Sequence, residues 1–130
     1  MESPQNLDWI SVRSSCTLAE VFSALRFGIE GDVNAINKTY RLEGAEAFAL
    51  KTIEPNGFVV YKTKNSGRSV RFFLEENGIE IYDDITNQKH SAGITLTNEG
   101  RCKLRIEAEE LEQWQVRRIA LESMFFEGRG

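Results

Sequence analysis

The chain has 130 residues, 41% apolar and 28% charged, with 16 Lys and Arg against 20 Asp and Glu for a formal charge of −4. This composition is too rich in Phe, Ile, Leu and Val for a disordered protein, and its mild acidity gives no general attraction to nucleic acid or to an anionic membrane surface. The length suits one domain with its own core, so residues 1–130 read as a single α+β domain, with an extended N-terminal segment over 1–16 and a frayed tail over 127–130.

The opening stretch MESPQNLDW carries neither a basic segment nor an apolar run, which predicts no signal peptide. No apolar run reaches the roughly 18 residues that a membrane span needs. Cys16 and Cys102 lie far apart with no CxxC or Cys/His grouping, which argues against a structural zinc site and against a disulfide-rich scaffold. Reduced thiols in a cytoplasmic protein are the expectation.

Residues 17–40 carry the strongest periodicity. At about 100° per residue, Leu18, Val21, Phe22, Leu25, Ile29, Val33, Ile36 and Tyr40 share one face of an amphipathic helix. Thr17 is its N-cap, and Glu20 completes a capping box. Beside that face runs a stripe of small residues, Ala24, Gly28, Gly31 and Ala35. The glycines weaken a helix, so the segment is either one helix or two pieces divided near Gly31, with Asp32 capping the second. The stripe has two readings: close packing of a neighbouring element, or room for a small apolar ligand between sheet and helices, beside Trp114.

From residue 47 the pattern alternates, which predicts strands over 47–53, 58–64, 68–75, 79–85, 93–97 and 101–106. Glu54-Pro55-Asn56-Gly57, Asn77-Gly78 and Asn98-Glu99-Gly100 supply tight turns, so neighbouring strands should be antiparallel. Alternation points Val70, Phe72, Leu74, Ile79, Ile81, Ile94, Leu96, Cys102, Leu104 and Ile106 into one core. The polar stretch 86–92, with the lone histidine His90, reads as a loop. Helical periodicity returns over 108–126, with Leu111, Trp114, Leu121 and Phe125 on one side. The fold class is therefore α+β: an N-terminal helix, an antiparallel meander of about six strands, open or rolled, and a C-terminal helix packed on the sheet.

Chemistry-bearing constellations are sparse. One histidine leaves no His/Cys pair and no HExxH, and no GxSxG, Walker A or GxGxxG string occurs, so no catalytic, cofactor-binding or metal-ligating residue is assigned and no cofactor is expected. Asp32, Asn34 and Glu43 have partial EF-hand spacing, but Ile36 and Asn37 stand where a ligand and the turn glycine belong. Asp32 and Arg118 both fall inside apolar stripes and could meet as a buried ion pair. The alternative has Asp32 capping a helix and Arg118 extending to water.

Parity places Phe58, Val60, Arg71, Phe73, Tyr82 and Lys103 on the outward face of the sheet. Rings interleaved with cations could stack bases, but Glu75, Glu80 and Asp84 share that face and would repel phosphate, so nucleic acid is not the expected partner. An apolar patch ringed by charge suits a protein partner, a second copy of the chain included. The leading expectation is a non-enzymatic interaction module, an adaptor, inhibitor or regulatory subunit acting through the sheet face or the N-terminal helix. A binder of a small apolar ligand comes second and an enzyme third.

Overall fold

The structure is a computed structural model that describes residues 8–127, apart from the side chains of 65–67. The chain opens with helix α1 (Trp9–Ser15), where an extended segment was expected; the Asp8 carboxylate caps it, accepting the Ser11 N–H at 3.2 Å. Helix α2 (Leu18–Thr39) follows as one unbroken helix with Thr17 as N-cap, its hydroxyl accepting the Glu20 N–H. Gly31 does not divide it, because Leu25, Ile29, Val33 and Ile36 on the other face are all buried and hold the turns on either side.

The strands run in chain order as β1 (Phe48–Ile53), β2 (Gly57–Lys62), β3 (Asn65–Glu75), β4 (Gly78–Asp83), β5 (Gln88–Leu96), β6 (Cys102–Ile106) and β7 (Glu109–Leu111), and helix α3 (Gln113–Phe126) closes the fold. They make one antiparallel sheet in which each strand pairs with its sequence neighbour. Seven strands replace the expected six, because residues 109–111 return against β6 before α3 begins at Gln113. The loop expected over 86–92 is mostly strand. The Asp83 carboxylate accepts the N–H groups of Ile85 and Thr86 at 2.9 and 3.1 Å, Asn87 takes φ of 60°, and β5 starts at once. His90 consequently lies on β5 opposite Ile81.

Both helices cover the same face of the sheet. Leu25, Ile29 and Ile36 from α2, Val116, Leu121 and Phe125 from α3, and Phe58, Val60, Val70, Phe72, Ile79, Ile81 and Leu104 from the sheet form one core cluster. Phe58 and Val60, expected outward, are fully buried. The β2–β3 register pairs Phe58 with Phe72 and Val60 with Val70, and cross-strand partners share a face. At the far end of the chain, Glu127, the first residue of the expected tail, is the C-cap position of α3 and forms an ion pair with Arg68. Residues 128–130 lie outside the described residues.

Cys16 and Cys102 are joined in a disulfide with their Cα atoms 5.5 Å apart, where free thiols were expected. Cys16 ends α1 just ahead of the α2 cap, so the bond ties the start of the helical layer to β6. Reduced thiols thus drop out as grounds for a cytoplasmic setting. Among the described residues, no helix is long and apolar enough to cross a membrane.

Candidate functional site

Of the small-residue stripe on α2, Gly28 is where α3 packs. A Cβ at Gly28 would stand 2.6 Å from Gln113 Oε1 and 2.9 Å from Arg117 Nη1, so a larger residue there would have to displace the ends of these two side chains. Arg117 Nη1 donates to the Gly28 carbonyl and to Asp32 Oδ1, both at 2.9 Å. Further along, the rings of Tyr40 and Phe126 meet edge to face at 6.3 Å. The helices therefore run in the same direction, in contact near Gly28 and again near Tyr40.

Between these junctions lies an open cleft of about 360 Å³ lined by α2, α3 and the adjoining Tyr40, with no sheet residue among its lining. Ala35, Ile36 and Thr39 line one side; Trp114, Leu121, Phe125 and the 118–122 turn line the other. The two readings of the stripe divide along its length. Gly28 serves close packing, Ala35 opens the cleft opposite Trp114, and Ala24 and Gly31 face outward. Trp114 is 54% exposed and Phe126 46%, high values for large aromatics flanking a concave surface.

Asp32 pairs with Arg117, one residue before the expected Arg118. Arg118 is exposed and reaches Glu122 at 3.0 Å, an i,i+4 pair on the rim of the cleft. The shift follows from helical phase. Leu111, taken as part of the apolar stripe, belongs to β7, and the true buried face of α3 is Val116, Ala120, Leu121, Met124 and Phe125. A change of one residue rotates a side chain by about 100°. Burial pushes the Asp32 carboxyl above its ordinary value, against the opposing pull of the Arg117 guanidinium. Arg117→Met should therefore cost about 1–2 kcal/mol, since it strands a half-buried carboxylate and a helix carbonyl. Arg118→Met should change stability by less than about 0.5 kcal/mol. Urea denaturation of the two variants side by side measures the difference.

The uncovered face of the sheet carries Arg71, Phe73, Glu80, Tyr82 and Lys89. These side chains are engaged with one another. Arg71 makes a two-pronged bond to Asp84, with both contacts at 3.0 Å, and lies 5.1 Å from the centre of the Tyr82 ring. Lys89 pairs with Glu80 at 3.0 Å and flanks the same ring at 5.4 Å. Phe73 meets Tyr82 edge-on at 5.8 Å and lies over Gly57, where a Cβ would come within 2.5 Å of its ring. Burial alone would raise the Asp84 carboxyl, but hydrogen bonds from Arg71 and Ser69 outweigh it and hold the group below its usual range. At Glu80 the bonds from Ser91 and Lys89 likewise overcome burial. Lys103 lies 3.7 Å from Glu112. Phe58 and Val60 are missing from this face; Val59, paired with Arg71, and Tyr61 take their places beside half-buried Phe73 and Tyr82.

The partial EF-hand spacing falls inside the continuous α2, with Asp32 committed to Arg117. Among the described residues, no group of three or more His, Cys, Asp or Glu side chains is placed to hold a metal. The residues that sequence reasoning missed are Tyr40 and Phe126, which close one end of the cleft, and Arg117. Only the Arg118–Glu122 spacing gave a legible sign of which side of α3 faces water. Compared with known proteins, the chain matches no family model, no curated protein and no solved structure.

Proposed function

We propose that the chain is a non-enzymatic protein-interaction module whose docking surface is the cleft between α2 and α3. The carrying observation is the exposure of Trp114 and Phe126 beside an apolar concavity. Exposed large aromatics at the edge of a pocket are the side chains that anchor protein interfaces, because they bury much apolar area at little cost in side-chain entropy. The cleft has room for one or two apolar side chains of a partner, and the Arg118–Glu122 pair on its rim offers charge to both signs. The sheet face is the weaker candidate, since its cations and rings already satisfy one another.

The test is capture of the tagged full chain with its partners from its native source, compared across two variants. Trp114→Ser should lose the partner, whereas Phe27→Ser, which alters a 79% exposed ring on α2 away from the cleft, should keep it. A partner retained by both variants would overturn the assignment. A second reading has specific support. The cleft volume lies within the range of small-ligand sites, and its walls are mainly apolar. In that case an apolar compound should raise the melting temperature of the wild-type chain by mass action and leave Trp114→Ser unmoved.

A further inference from the structure

Among the described residues, the first strand of the sheet pairs only with β2 and leaves its other side as an open edge. Residues 47, 49, 51 and 53 turn their backbone groups toward β2, as the bond from Thr63 N–H to the Ala47 carbonyl and the β1–β2 register require. Phe48, Leu50 and Thr52 therefore point theirs away from the sheet. At Phe48 the outward groups are taken by one side chain: Asn37 accepts the Phe48 N–H and donates to the Phe48 carbonyl, both at 2.9 Å, as a neighbouring strand would. Among the described residues, Leu50 and Thr52 have no such backbone partner. The opposite edge is protected differently, since β7 is only three residues long and carries Glu109 and Glu110.

We infer that the Leu50–Thr52 edge of β1 receives an extended segment of another protein, added as an eighth strand beside the seven of this sheet, with an acidic side chain opposite Lys51. Charge selects the occupant. Lys51 is exposed between the two open residues, 5.6 Å from the centre of the Tyr61 ring and with no carboxylate partner among the described residues. Arg26, which reaches Thr52 Oγ1 at 2.8 Å from the helix side, is paired with Glu30 at 3.8 Å, so the uncompensated cation of the edge is Lys51. A second copy of the chain fits poorly. Antiparallel self-pairing that uses both open residues sets Leu50 against Thr52 of the copy and vice versa, which forces Lys51 directly onto its own counterpart. A carboxylate at that position converts the repulsion into an ion pair. The edge shares no residue with the α2–α3 cleft, so its occupancy does not depend on the proposed function of the cleft.

The test uses two blocked pentapeptides, Thr-Val-Glu-Val-Thr and Thr-Val-Lys-Val-Thr, titrated into the isotope-labelled full chain. The glutamate peptide should shift the Leu50 and Thr52 amide resonances and slow their exchange with solvent, while the Trp114 indole signal stays in place. The lysine peptide should bind roughly fivefold more weakly. Lys51→Glu, a surface change, should reverse the order, and Thr52→Pro, which removes an outward N–H from an edge strand, should abolish binding of both. Trp114→Ser should leave the titration unchanged even if it loses the partner of the cleft. Absence of binding at millimolar peptide, shifts centred on the cleft, or equal binding of the two peptides would overturn the inference. So would a wild-type dimer in light scattering that Thr52→Pro returns to monomer.

Discussion

Replacing Cys16 and Cys102 together by Ser is expected to lower folding stability by about 3–4 kcal/mol and the melting temperature by on the order of 10 °C. The bond spans 86 residues, a stretch that holds α2 and all of β1 to β5. A cross-link over so long a loop removes much of the freedom of the unfolded chain, and the closure cost grows only slowly beyond that length. The native side adds a local effect. Helix α1 has no buried residue of its own, and buried Cys16 is its anchor to the rest of the molecule. Without the bond, α1 should fray first, followed by the Thr17 cap of α2. Denaturation followed by circular dichroism with and without reductant is the measurement. The wild-type curve should move to the position of the double variant on reduction, and the variant itself should not respond. If titration shows two free thiols and the wild-type curve has not moved, the bond does not carry this stability.

The parts of this fold that could be read from the sequence are those in which one local signal determines the geometry. Helix α2 combined a 3.6-residue period with a Thr17–Glu20 cap, and the β1–β2, β3–β4 and β5–β6 hairpins each had a Gly-containing turn. The failures share a physical cause, which is that they depend on phase. Strand β2 reads Gly-Phe-Val-Val-Tyr-Lys, and its one charged residue, Lys62, shares the parity of Phe58 and Val60 and so points the wrong way; only the register against β3 shows that these two face inward. In α3 the apolar stripe was counted from Leu111, which belongs to a strand, and the phase error moved the partner of Asp32 from Arg117 to Arg118. The disulfide joins residues whose spacing carries no pairing information. The cleft was half legible. Gly28, Ala35 and Trp114 marked the neighbourhood, but whether small residues admit a helix or a ligand depends on how closely two helices approach, and that is a tertiary property. The open edge of β1 depends likewise on Asn37, distant in sequence, stopping at Phe48.

The inward position of Phe58 leads to the other large effect: Phe58→Ala should cost about 3–5 kcal/mol and Phe73→Ala only about 1 kcal/mol. Phe58 is fully buried, stacked on Phe72 at 4.8 Å with an interplanar angle of 12°, and in contact with the Phe22 ring of α2 at 5.4 Å. The Arg26 guanidinium covers it from above at 5.4 Å. Truncation would leave a cavity where the sheet meets α2, and the three surrounding groups could not all collapse into it. Phe73, half-buried on the other face, would lose its contact with Tyr82 and its cover of Gly57, and water would replace both. Urea denaturation of the two variants should separate them clearly, and equal costs would place both rings on one face, against the β2–β3 register. The same contrast bears on function. Phe58 holds α2 to the sheet through Phe22 and Arg26, so its loss should loosen the helix that forms one wall of the cleft and the Arg26 that borders the β1 edge. Phe73→Ala should leave both surfaces as they are. Peptide and partner binding should therefore fall together in Phe58→Ala and survive in Phe73→Ala. Loss of binding in Phe73→Ala instead would return the docking role to the uncovered sheet face.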